Sequence, residues 1–213
     1  MPVIAVDVPA LKVVEEVPDR WCYAAVEQVL RKAFKKPDIS QTEIAHNCFI
    51  RVAATSTTTY SHLGRMLQYA KTAVSQVTGK PLDVVEKDWL TLRPSLATLA
   101  PFGELNLDKD GLRGLLRDSW GEFDRKIFTT VNIGCPPSVF DVAPEIAEGK
   151  LVAAANDVHW YVIYGYDYDE AAVHDDEEAK YTYLVYDVHG GVASRAAAKD
   201  FNENLSEVLT VTA

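Results

Sequence analysis

An α+β fold is what this chain predicts, and three observations predict it. Apolar residues recur at helical spacing through the front half. From about residue 127 the chain turns into short runs rich in β-branched and aromatic residues, IFTTVNI, KLVAAAN, HWYVIYGYD, KYTYLVYDV and EVLTVTA. The two patterns are segregated rather than alternating, which argues against a βαβ sheet and for helices beside an antiparallel one. A length of 213 residues suits a single domain of two lobes, a mainly helical one over 1–126 and a mainly β one over 127–213.

Taken in order, the first 17 residues alternate weakly and carry two prolines, which reads as an extended arm or edge strand. Asp19 is a candidate N-cap, because a carboxylate can accept from the orphan N–H groups of a first helical turn. The apolar positions 22, 25, 26, 29, 30 and 33 then follow helical spacing, and Lys35-Lys36-Pro37 ends that helix with cations at its negative end and a stop. Ser40-Gln41-Thr42-Glu43 is a capping box for a short helix over about 41–50. The stretch 53–61 is small and polar and reads as a loop, and Ser61 can cap a helix over 62–78. Region 79–106 carries three prolines and mixed signals and reads as irregular, with one more short helix over 108–118. The acidic run within 171–180 reads as a solvated hairpin loop.

Composition narrows the function classes. Apolar residues make up 48% of the chain, enough for a core. A net charge of −10 disfavours nucleic acid and anionic membrane as partners. No apolar run reaches the roughly 20 residues of a membrane span. The N-terminus lacks the basic start and apolar core of a secretory signal. The three cysteines, Cys22, Cys48 and Cys135, have no framework spacing, which fits free thiols in a reducing compartment. The expected location is the cytoplasm, or a site reached by export without a Sec-type signal.

Three segments carry chemistry: DRWCYAAVEQVL, VHWYVIYGYDYD and YLVYDVHGG. A thiol is a strong nucleophile only as thiolate, and a helix N-terminus with a neighbouring imidazolium lowers its pKa. Cys22 opens a helix. Alone it fits a small buried core residue as well as a nucleophile. His159 follows 137 residues later, in an aromatic strand, a separation suited to a base on a distant sheet. An antiparallel hairpin of 158–166 with 180–188 that sets Ile163 opposite Tyr183 and Tyr161 opposite Val185 sets His159 opposite Asp187, within reach of its ring. Nucleophile, base and orienter thus occur in the order Cys, His, Asp.

These segments resemble a known family. DRWCYAAVEQVL resembles the "WCWAA" nucleophile helix of papain-like cysteine peptidases, in particular the bacterial branch that includes the AvrRpt2-like effector proteases and the C39-like peptidases. EIAEGKLVAAANDVHWYVIYGYD resembles that branch's helix end, strand and "HWVVVVGYD" segment, and YLVYDVHGG its "Y-x-V-x-D-P-x-G" segment. The resemblance covers the two ends and hardly touches 80–135. It implies a papain-like two-lobed fold and a soluble thiol protease. Cys22 would be the nucleophile, His159 the general base and acid, and Asp187 the orienter. The substrate would be a protein or peptide, split through an acyl-enzyme, with no cofactor.

One departure is chemical. The family's oxyanion-hole Gln lies six residues before the Cys, and here that position is Glu16. An ionised carboxylate repels an oxyanion, and losing one such donor typically costs about 10²–10³ in rate. Three accounts are open: a protonated Glu16, a substitute donor with Arg20 as the cationic candidate beside the remaining Cys22 N–H, or lost turnover. The same triad also serves a Cys-dependent amidase, deamidase or acyltransferase, and lost turnover would leave a binding module.

Other residues rank lower. His46 and Cys48 lack further ligands at metal-binding spacing. His174 sits in the acidic loop, Cys135 precedes two prolines, and His189 competes with His159 as the base only if the strand ends early.

Overall fold

The computed structural model describes residues 3–5, 22–41, 43–45, 47, 48, 63–92, 95, 123–172 and 175–213. They form an α+β protein around an antiparallel sheet. The chain divides into two compact units. One holds 22–38 and 123–213 with the N-terminal residues, and the other holds 39–122 with 19–21. The helix that the sequence groups with the front half therefore shares a unit with the sheet.

Helix α1 spans Cys22–Ala33, and the face that includes Ala25, Val26, Val29 and Leu30 is buried. It stops as its sequence dictates. Lys35 takes a left-handed φ of 52°, and the Lys36 N–H reaches back to the Arg31 carbonyl at 2.7 Å. That closure satisfies an end-of-helix carbonyl, and Pro37 follows it. Within α1, Glu27 and Arg31 are one turn apart and almost fully buried, 1% and 3% exposed. Arg31 donates to Glu27 Oε1 through Nε at 2.9 Å and a terminal nitrogen at 2.7 Å. That terminal nitrogen also reaches Asp124 Oδ2 at 3.2 Å, and the other one reaches the Pro37 carbonyl at 3.3 Å. The Asp124 N–H donates to Glu27 Oε2 at 3.2 Å.

In the other unit, Ser40 caps a short helical segment by accepting from the Glu43 N–H at 3.1 Å. Helix α2 runs Leu63–Thr78, close to the expected 62–78. Region 79–106 is not irregular throughout. Helices α3 (Leu82–Lys87) and α4 (Trp89–Leu92) occupy part of it. Pro81 sits where a missing N–H costs nothing, and Asp83 lies in the first turn. Six and four residues are too few to show a period in the sequence. The expected loop at 53–61 and helix at 108–118 lie outside the described residues.

The sheet runs in the order β2 (Thr129–Asn132), β7 (Glu207–Thr212), β3 (Leu151–Ala155), β4 (Trp160–Tyr168), β5 (Tyr181–Asp187), β6 (Val192–Ala197). A short strand β1 (Val3–Ala5) pairs with the far end of β4. Gly165 permits that approach, because a Cβ there would stand 2.9 Å from the Ile4 carbonyl. All five expected strands are present. β6 was not legible, since it lies on an edge and is largely exposed, so no apolar alternation marks it.

Helix α5 (Val139–Ala147) begins with a full capping box between Ser138 and Asp141. It buries Val142 and Ile146 against Val152, Ile163, Tyr183, Val185 and Val208. Helix α6 (Ala198–Asn202) adds Ala198 to that core and Phe201 at its margin. Alternation along β4 turns Trp160 and Val162 the other way, where Phe123 meets Trp160 edge-on at 5.5 Å.

The acidic run is more structured than a solvated loop. Glu177–Lys180 form a 3₁₀ turn, Ser138 bonds to Glu178, and Lys199 pairs with Asp176 at 2.6 Å.

Candidate active site

The turn from β3 to β4 and the end of β5 build the site. β3 ends at Ala155 and β4 begins at Trp160, so a four-residue connection must reverse the chain. Asn156 does this with its side chain. Its Oδ1 accepts from the Val158 N–H at 3.0 Å and the His159 N–H at 2.8 Å, while its own N–H donates to the His159 carbonyl at 3.0 Å. Asn favours this role because its side chain can imitate the next peptide group. The turn fixes the backbone of His159 from both sides. Val158 at its tip is 77% exposed.

His159 Nε2 lies 2.8 Å from Asp187 Oδ1. A carboxylate only accepts, so Nε2 carries the proton of that bond and Nδ1 is the basic nitrogen of the neutral ring. The same Oδ1 accepts from the His189 N–H at 2.8 Å, which holds the carboxylate as β5 ends. The His189 ring meets that of His159 edge-on, centroids 6.2 Å apart.

The register differs from the expected one. Tyr161, not His159, stands opposite Asp187, and Ile163 opposite Val185, with a bulge between Ile163 and Gly165. The Asn156 turn holds Val158 and His159 outside the ladder, and β4 starts at Trp160. Up to Ile163 the shift is two residues, an even number, which keeps these side chains on their expected faces; beyond the bulge it is three. His159 therefore meets Asp187 diagonally instead of directly.

Cys22 lies in the same unit, at the N-terminal end of α1, which packs on β4. It is 1% exposed and in no disulfide. The Tyr161 ring meets His159 edge-on, with centroids 4.7 Å apart. Burial pushes the Tyr161 phenol above its ordinary pKa, negative charge on Asp187 and Cys22 adds to that, and a hydrogen bond from Asn156 opposes it. The phenol is thus protonated at neutral pH.

Glu16, Asp19, Arg20, His46 and His174 lie outside the described residues. Cys48 is buried, and Cys135 is an exposed thiol that partial burial and Glu207 push upward. Among the described residues no group of three or more His, Cys, Asp and Glu side chains could hold a metal ion, and no helix is long and apolar enough to cross a membrane.

Asn156 and Tyr161 were not singled out from sequence. Asn-Asp between two β runs is a turn signal that could have found the first. Tyr161 looked like any other aromatic of its strand. Replacing Asn156 by Ala frees two N–H groups and is expected to cost about 1–3 kcal/mol of stability. Asn156→Asp keeps the accepting oxygen and is expected to keep most of it. Thermal unfolding of the two variants, side by side, checks this.

Compared with known protein families, with curated proteins and with solved structures, the chain matches none.

Proposed function

We propose that the protein is a papain-like thiol hydrolase that cleaves a peptide or isopeptide bond in a protein or peptide substrate. The observation that carries the reading is the 2.8 Å bond from His159 Nε2 to Asp187 Oδ1, in the unit that also holds Cys22 at the N-terminal end of α1, a helix packed on β4. With Nε2 committed to Asp187, Nδ1 is the nitrogen that exchanges a proton with the thiol. Two effects oppose each other at Cys22. Burial raises a thiol's pKa, whereas a helix N-terminus and an imidazolium lower it, together reaching about 3.5–7.5 where both act.

In the reaction the Cys22 thiolate adds to the scissile carbonyl carbon, and the π pair moves to oxygen. Collapse of the tetrahedral species expels the amine, which takes its proton from the His159 imidazolium. Water then attacks the thioester with His159 as base, releasing the acid and restoring the thiol. Asp187 orients the ring in both halves.

Glu16 at the family's oxyanion position favours a second reading, in which the fold binds without turning over. Mass spectrometry after mixing with an activated acyl ester separates the two. The hydrolase is expected to carry the acyl group on Cys22, transiently, and Cys22→Ala to carry none. No adduct on Cys22 at any pH between 5 and 9 retires the hydrolase. Proteins recovered after incubation then define the bond: a cut backbone supports the peptidase, and a gain of about one dalton marks Gln deamidation.

A further inference from the structure

A cavity of about 370 Å³ opens beside the Asn156 turn, walled by Asn156, Tyr161, Ala196, Asp200, Phe201 and Leu205. Its size falls in the range of about 300–1,000 Å³ typical of small-ligand sites. We propose that it receives a cationic side chain, of the lysine or arginine class, from the substrate. This assignment rests on the hydrolase reading for its connection to catalysis.

The walls decide what fits. Tyr161 and Phe201 meet edge-on with centroids 5.4 Å apart, and Leu205 and Ala196 extend the apolar lining. Such a lining suits a methylene stem, and aromatic rings attract a cation. The charge at the site is Asp200. Among the described residues its carboxylate has no ion-pair partner, and the two nearest cations along the chain are taken. Lys199 pairs with Asp176, and Arg195 with the buried Asp167. Asn204 bonds to the Asp200 carbonyl at 2.7 Å and so secures this turn. An acidic side chain would meet Asp200 in a chain of net charge −10. A wholly apolar one would gain nothing from that carboxylate. A stem with a cationic head answers both.

The cavity is also one ring away from the chemistry. Tyr161 forms its wall on one side and touches His159 on the other, at 4.7 Å between centroids. A side chain seated there places its own backbone at the His159 end of the sheet.

The test reads binding apart from turnover. Cys22→Ala protein is titrated with Nα-acetyl-lysine N-methylamide and with the norleucine analogue, which keeps the stem and lacks the charge. Backbone amide shifts are followed by NMR. The expected result is a shift at Phe201 and Asn204, with lysine binding about tenfold tighter than norleucine, since Asp200 is exposed and such pairs are modest. Asp200→Asn is expected to cut the preference to the few-fold that the rings alone supply, and raising salt to about 0.5 M to shrink the difference in the parent. Equal affinity in the parent, or a preference that neither Asp200→Asn nor salt diminishes, overturns the proposal. A lysine preference without any acyl-enzyme on Cys22 would retire the hydrolase and keep the pocket. An acyl-enzyme without the preference would do the reverse.

Discussion

Replacing His159 by Ala is expected to lower turnover by about 10²–10⁴-fold, the usual worth of a positioned general base. It should also change how Cys22 reacts with iodoacetamide, in a direction that depends on pH. Take a paired thiol at a pKa of about 6 against an ordinary one at about 8.5. At pH 6 the first is half ionised and the second about 0.3% ionised, a ratio near 10². A thiolate of lower pKa is a poorer nucleophile, by about tenfold over that span. The parent is therefore expected to react about tenfold faster at pH 6. The two rates should cross near pH 7.4, with the variant faster above. Burial of Cys22 slows both proteins, so the crossing survives it. Parallel profiles would mean that His159 does not activate Cys22. Asp187→Ala should move the profile the same way by less, because it loosens the ring without removing it.

The largest effect on stability is expected at Arg31. Arg31→Ala leaves Glu27, 1% exposed, and half-buried Asp124 without the guanidinium that both face at 2.7 and 3.2 Å. Removing one partner of a buried ion pair costs about 3–5 kcal/mol. For a chain of this size, with about 2–4 °C per kcal/mol, the melting point should fall by about 6–20 °C. Charge removed in pairs behaves differently. Glu27→Gln with Arg31→Met keeps most of the volume and is expected to regain most of the loss. If Arg31→Ala melts within about 2 °C of the parent, the buried network contributes far less than its geometry implies.

Much of this could be read beforehand, for local reasons. The Lys35-Lys36-Pro37 end of α1 and the Ser40 cap follow from one turn of chain each. β3, β4, β5 and β7 are legible because their buried faces demand β-branched and aromatic residues. What escaped depends on distance. β6 needs only β5 beside it and no apolar pattern. The β4–β5 register lies two residues from the expected one up to a bulge between Ile163 and Gly165, which no alternation pattern reveals. The pairing of His159 with Asp187 survived that shift because parity was kept. Glu27 and Arg31 are a recognisable one-turn pair, but Asp124 lies 93 residues beyond Arg31. The cavity joins α6 to the start of β4, and nothing local marks Phe201 or Asp200 as facing Tyr161.

The Arg31 network also has a topological meaning. Its guanidinium grips the Pro37 carbonyl and Asp124, and these mark where the chain departs from the sheet-bearing unit and where it returns. Residues 39–122 are thus an excursion whose two feet stand on one clamp. A change at Arg31 therefore acts on the chain at both junctions at once, residues 37 and 124, although they are far apart in sequence.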